Sequence, residues 1–281
     1  MPKLESHADF PHIRIRANEV GAPIDIPELI RYRDLLLTMA DRDLRVRYKQ
    51  TVLGVVWVVL QPLLASLIFA FVFGIVAGMA SNGKPYVLFA FAGLIAWNAF
   101  SNIVSRVSSS LVSSAHVLSK IYFPRIIPPL AAASAVLVDF GVSLGMMVLM
   151  LASYRVWPGW GVLLLPVWLA ILATMAFGFG LFAASLMVRY RDVSHIIPAM
   201  LQLGMFISPV AWSTLIVPAK YRWVFLVNPL SGVLDAFRWS LLGEGTISLA
   251  ALAYAAGVAA LAFWLGARLF KQQERSFADV I

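Results

Sequence analysis

The chain has 281 residues, 61% of them hydrophobic and 13% charged, with a mean hydropathy of +0.84. That composition excludes an ordinary soluble domain and points to an all-α integral membrane protein. The net charge of +8 does not point to nucleic acid, because the basic residues flank apolar runs where orientation and lipid phosphate account for them, and the lack of cysteine excludes disulfides and thiolate metal sites.

Residues 1–24 are mixed in charge, carry Pro11 and Pro23, and read as an irregular cytoplasmic lead-in. The opening MPKLESHADF lacks the apolar core of a signal peptide, so no cleavage is expected. An amphipathic helix is expected over 25–50. Asp25 is placed to cap it, with Glu28 three residues on as in a capping box. Ile26, Leu29, Ile30, Leu36, Leu37, Ala40 and Leu44 follow near helical spacing, with charge between them. A helix this basic, set directly before a span, suits the headgroup layer; packing against another subunit is the competing reading. Its end is dense in cations, Arg42, Arg45, Arg47 and Lys49, and charge stops abruptly across 50–54.

A transmembrane domain with six spans is expected over 51–281, at about 51–79, 86–106, 125–154, 160–188, 193–212 and 247–270. Gln61 and Pro62 predict a kink in the first span. Between the second and third spans, Leu111, Ala115, Leu118 and Tyr122 fall on one helical face, with His116 beside them. A short cytoplasmic surface helix there suits a soluble partner, or rests on lipid. Between the fifth and sixth spans the chain is too apolar for a free loop. Asn228 is placed to cap a helix beginning at Pro229. Val233, Ala236, Phe237, Ser240 and Leu241 share one of its faces, and Asp235 pairs with Arg238 on another. Two short helices dipping back from the extracytoplasmic side are expected. With the N-terminus inside, 17 of the 22 Lys and Arg fall in inside segments, so both termini are expected in the cytoplasm.

The sequence is poor in catalytic constellations. It has four histidines, none paired at metal spacing within a span, no GxSxG elbow, no paired carboxylates and no phosphate-cradling GxxxxGKS loop. Asp139 is the only acid deep in a span, and a structural hydrogen bond to a neighbouring helix is favoured over a functional role. Gly141 and Gly145 form a GxxxG pattern that predicts close helix packing. In the second span Asn98, Ser101, Asn102, Ser105 and Ser109 form a polar stripe, which must face protein or water. Aromatic residues fall nearby: Phe69 and Phe73, Trp97 and Phe100, Phe177 and Phe179, and Phe206. An aromatic and amide lining would suit a glycan; helix packing is the plainer alternative.

Four motifs in order carry a resemblance: RDLRVRYKQTVLGVVWVVLQPLL, KIYFPRIIPPLA, VRYRDVSHIIPAMLQLGMFISPVAW and LVNPLSGVLDAFRWSLLG. Together they resemble membrane subunits of type-2 ABC exporters for lipid-linked polysaccharide such as O-antigen. The resemblance begins near residue 30 and leaves out residues 1–24. It implies a homodimer in the bacterial cytoplasmic (inner) membrane, with a translocation path along the dimer interface. It also implies two copies of a separate ATPase, which would carry the ATP and Mg; no cofactor is expected in this chain. Under it, the surface helix bearing Leu111, Ala115, His116, Leu118 and Tyr122 would couple to the ATPase. Arg42, Arg45, Arg47 and Lys49 would meet the lipid diphosphate. Phe69, Phe73, Trp97, Asn98, Phe100, Ser101, Asn102, Phe177 and Phe206 would line the channel. Asn228, Pro229, Asp235, Phe237 and Arg238 would gate the exit. The same architecture exporting a drug or lipid is the first alternative. A membrane-embedded enzyme on lipid-linked sugars and a scaffold without transport are weaker ones.

Overall fold

The computed structural model describes residues 26–49, 54, 56–79, 83–118, 120, 123–212, 220, 222–243 and 247–280, the side chains of residues 47, 49, 222, 224 and 275–280 excepted. The expected lead-in over 1–24, the cap at Asp25 and Tyr122 lie outside these residues.

The described residues are helical. Helices α1 (Ile26–Arg31) and α2 (Arg33–Lys49) follow one another across a turn at Tyr32. Helix α3 (Val56–Phe69) runs through Pro62 and continues as a π-helix over Ala70–Val76. Then come α4 (Tyr86–Ser113), α5 (Ala115–Leu118), α6 (Ile127–Ser153) and a 3-10 turn at Trp160–Leu164, which leads into α7 (Leu165–Arg189). Helices α8 (Val193–Ile207), α9 (Arg222–Val227), α10 (Pro229–Leu242) and α11 (Leu249–Val280) complete the chain.

Five segments among the described residues are long and apolar enough to cross a membrane: Val56–Val76, Tyr86–Ser113, Ile127–Ser153, Trp160–Arg189 and Leu249–Glu274. The expected fifth span over 193–212 is helical only through Ile207, as the 15-residue α8. At 1.5 Å per residue it covers about 22 Å of a core about 30 Å thick. The cause is local. Ser208 precedes Pro209, whose ring disfavours helical backbone before it, and Ser208 is extended at φ −89°, ψ 147°.

Helix α4 sits at the centre, against α6, α7, α3 and α10. Leu88, Phe91, Ile103, Val107 and Leu111 on it are fully buried. It runs past the expected end of the second span at 106. The serines that follow bond back to their own helix: Ser108 Oγ donates to Ser105 O at 2.8 Å, Ser110 Oγ to Val107 O at 2.8 Å and Ser113 Oγ to Ser110 O at 3.0 Å. Their hydroxyls are thus satisfied without water, and the helix needs no early stop. Of the residues expected on a separate surface helix, Leu111 thus belongs to α4, and Ala115, His116 and Leu118 to the short α5.

The close packing expected at Gly141 and Gly145 is not made within this chain: among the described residues a Cβ at either would find nothing within 4 Å. The close crossing is elsewhere, between α7 and α11. A Cβ on Gly178 would lie 2.4 Å from the backbone of Ala262 and Phe263, and one on Gly266 would lie 2.2 Å from Gly178 O. Gly180 packs on Val107 of α4 with a Cβ clearance of 2.6 Å. Small residues let these backbones meet, as membrane helices need in the absence of a hydrophobic drive.

Candidate functional site

Three polar features stand out on the apolar scaffold. The first is a cleft of about 380 Å³ between α3, α4 and α6, lined by Trp57, Gln61, Asn98, Ser101, Asn102, Asp139 and Ser143 among others. The polar stripe of α4 therefore does face a cavity at Asn98, Ser101 and Asn102. Asn98 and Asn102 share a face because they are four residues apart on a helix. Gln61 arrives from α3 and Asp139 from α6. Asp139 is only 5% exposed, and the Tyr48 hydroxyl of α2 donates to its Oδ1. The expected structural hydrogen bond to a neighbouring helix is thus present, yet the same carboxylate lines the cleft.

The second feature is a cavity of about 430 Å³ between α2, α4, α5 and α6. It is lined by Arg42, Asp43, Arg106, Ser109, Ser110, Ser113, Ser114 and His116. Arg42 Nη2 lies 2.9 Å from Asp43 Oδ1, and Arg45 Nε lies 2.6 Å from Asp41 Oδ2. Two of the four cations expected at an entrance are therefore paired along their own helix. The side chains of Arg47 and Lys49 lie outside the described residues. Arg106 is the lining cation that sequence reasoning passed over; it interacts with Asp43 and Tyr48 electrostatically. The signal was there: Ser109, Ser110 and Ser113 follow Arg106 at three, four and seven residues, so all four share a face.

These two cavities are neighbours along one helix. Asn98, Ser101 and Asn102 belong to the first, Ser109 to the second, and the Ser105 carbonyl, between them in sequence, accepts from Ser108 and Ser109. Tyr48 stands at the junction, bonded to Asp139 and facing Arg106.

The third feature is a brace at the break after α8. Arg238 was expected to pair with Asp235 on the outer face of its helix. Its Nη1 does lie 3.3 Å from Asp235 Oδ1, but the side chain is 4% exposed. Its Nη2 donates to Pro209 O and Val210 O, each at 2.6 Å, and its guanidinium stacks 4.1 Å over the Phe89 ring. The Tyr86 hydroxyl donates to Ala211 O. The carbonyls that the extended break denies to a helix are so satisfied by side chains of α10 and α4. Gly93 makes the room, since a Cβ there would lie 2.2 Å from Val210 O and 2.6 Å from Arg238 Nη2. Asn228 caps α10 as expected: Oδ1 accepts from Leu230 N at 3.0 Å, and Nδ2 donates to Ser208 Oγ at 2.9 Å. Pro229 is partly buried at the first position and Phe237 is wholly buried.

The expected aromatic lining divides. Trp97, Phe100 and Phe177 are buried within this chain's core: Trp97 on Phe100 at 5.7 Å between centroids, Phe177 on Phe263 at 6.2 Å. Phe69 and Phe73 are half-buried on one another at 5.8 Å, and Phe206 is 64% exposed. None of the six lines the polar cleft. Trp57 does, and it is 52% exposed. At the other end of the bundle, Leu111 and Leu118 turn into the core, Ala115 is half-buried, and His116 is exposed.

The sequence model of a family described as ABC-2 type transporter matches residues 34–242. The chain is 28% identical over 258 residues to the O-antigen export system permease protein RfbA of Myxococcus xanthus, covering 91% of this chain and 98% of that one. It is 26% identical to a protein of the same name from Klebsiella pneumoniae, over 88% of this chain and 95% of that one. It is also 23% identical to the polysialic acid transport protein KpsM of Escherichia coli, over 84% of this chain and 92% of that one.

Proposed function

The chain belongs to the ABC-2 type transporter family, and from that premise we propose that it is the transmembrane permease of an ATP-driven exporter of lipid-linked polysaccharide. Relatives named for O-antigen export and polysialic acid transport align over most of its length and support that substrate class. The observation that carries the reading is the polar track on α4, from the Arg106 cavity at one end to the amide and carboxylate cleft at span depth. Polar groups at that depth must face protein or water, and a series of them along one helix gives a hydrophilic cargo somewhere to go.

In this reading two copies of the chain form the path between them in a bacterial cytoplasmic membrane, and α8 with the residues after it completes a sixth crossing. Both termini are cytoplasmic, in keeping with the charge distribution. Helix α2 lies at the headgroups, and Arg42 and Arg106, with Arg45, Arg47 and Lys49 nearby, receive the lipid diphosphate by charge-assisted hydrogen bonds. ATP and Mg are held by two copies of a separate ATPase, which docks at α5 by its exposed His116. Helices α9 and α10 dip in from the far side and close the exit. Phe69, Phe73 and Phe206 are the aromatic residues placed to face the second copy or the path.

The test is genetic and chemical together. Deleting the gene is expected to abolish the surface polysaccharide and leave lipid-linked glycan inside the cell, and the wild-type gene is expected to restore export. The tagged chain is expected to copurify with an ATPase that bears a phosphate-binding loop. An unchanged surface polysaccharide, with an amphiphilic drug or lipid retained instead, would replace this reading with its nearest alternative.

A further inference from the structure

We propose that the cleft between α3, α4 and α6 is a binding site for a neutral glycosyl unit. In it Gln61, Asn98, Asn102 and Asp139 recognise ring hydroxyls, and Trp57 covers the apolar face. The proposal rests on the export reading only for the source of the sugar.

The first argument is satisfaction. Among the described residues no hydrogen bond is made by the carboxamides of Gln61, Asn98 or Asn102, and all three line the cleft. Asn98 and Asn102 are half-buried and Gln61 is exposed within this chain, and at the depth of a span bulk water is not the default partner of such groups. Three amides from two helices, converging on one space, define a place that expects a polar occupant.

The second argument is the kind of polarity. Each carboxamide both donates and accepts, and the Asp139 carboxylate only accepts. A hydroxyl also both donates and accepts, so a polyhydroxyl ring satisfies this set. A phosphate presents mostly acceptor oxygens on an anion, and these would face the Asp139 oxygens. Among the described residues that line the cleft, Asp139 is the one acid and no cation accompanies it, so an anionic sugar entering there meets a like charge at low dielectric. Trp57 supplies a flat apolar wall against which the C–H face of a ring can lie. The volume of about 380 Å³ is at the lower end of the range for small-ligand sites and suits a ring or two rather than a folded chain.

The chain has no cysteine, so single thiols report on single positions. Ser101→Cys and Ser143→Cys, which line the cleft but are given no part in recognition, would be made in the full chain, reconstituted with its ATPase in lipid nanodiscs, and their rates of modification by a charged methanethiosulfonate measured. Tyr190→Cys, at an exposed position between α7 and α8, is the control. The probes are inorganic phosphate and the host's surface polysaccharide, freed of lipid by mild acid and cut to oligomers. The oligomers are expected to slow both cleft thiols about fivefold at a concentration about four times their dissociation constant, and to leave Tyr190→Cys unaffected. Phosphate is expected to slow neither. Thiols that do not react, or that react equally with and without oligomers, would overturn the site, and equal protection by phosphate would make it an anion site.

Asp139→Asn keeps an acceptor for Tyr48 and removes the charge. It is expected to admit a uronic-acid oligomer that the wild-type cleft rejects, and indifference of that oligomer to the substitution would overturn the selection against anions. A deletion strain that keeps its surface polysaccharide would sink the export reading. A strain that loses it while the cleft thiols stay unprotected would sink this one alone.

Discussion

The Tyr48 hydroxyl donates to the Asp139 carboxylate across 91 positions of sequence, tying the end of the basic helix α2 to the middle of α6. A hydrogen bond to an ionised group is worth about 1.5–3 kcal/mol. Tyr48→Phe removes the donor and leaves the ring, so it is expected to lower stability by about that amount. Thermal unfolding of the detergent-purified protein measures it. Asp139→Asn keeps an acceptor and is expected to cost less than Tyr48→Phe. An unfolding midpoint that Tyr48→Phe leaves in place would show that the contact holds nothing together.

The glycines offer a controlled contrast. Gly178→Ala or Gly266→Ala drives a methyl group to within 2.4 Å or 2.2 Å of backbone atoms that cannot rotate aside. Each is expected to destabilise by about 1–3 kcal/mol, the usual cost of overpacking. Gly141→Ala and Gly145→Ala meet open space and are expected to leave unfolding unchanged, or to raise its midpoint by the helix propensity gained. Equal effects at all four positions would refute the α7–α11 contact.

Arg238 is the keystone of the break after Ile207. Arg238→Lys keeps the charge but has no planar fork to meet two carbonyls and lie over Phe89 at once. It is expected to cost about 3 kcal/mol, near the cost of breaking a buried pair, and to open the 208–211 segment to proteolysis or hydrogen exchange. Exchange at Val210 and Ala211 that matches the wild type would count against it.

Charge at the basic cavity separates two models of the entrance. If the cations of α2 receive the diphosphate unaided, Arg45→Gln with Arg47→Gln is the damaging change. Arg45 is paired with Asp41, whereas Arg106 forms no ion pair among the described residues and lines the cavity. Arg106→Gln is therefore expected to lower surface polysaccharide more than Arg45→Gln alone, about tenfold if one charge-assisted bond of about 1.4 kcal/mol is lost. The complex with the ATPase should assemble normally in both. A reversed order would return the role to α2.

Much of this was legible because it is local. The change from Arg45 and Lys49 to the uncharged run after residue 50, the cap at Asn228 with Pro229 behind it, and the Asn98–Asn102 face each depend on a few neighbouring residues. What was not legible needed tertiary partners. Nothing near Arg238 in sequence tells that carbonyls 28 and 29 residues away are unpaired. Hydropathy places Trp97, Phe100 and Phe177 in spans but not on a side, and all three turned inward. Likewise the GxxxG spacing at 141 and 145 reports an available groove, not an occupied one; the occupied groove, at 178 and 266, joins two helices with one glycine each.

The Gly178–Gly266 contact also limits how the bundle can move. Side chains that interdigitate can swap rotamers and let helices slip by small steps, whereas two backbones in direct contact have no such intermediate positions. Helices α7 and α11 therefore travel as one lever arm. Any opening of the bundle must leave that pair intact and move α3 or α8 instead, whose contacts with the rest are sparser than those between α7 and α11.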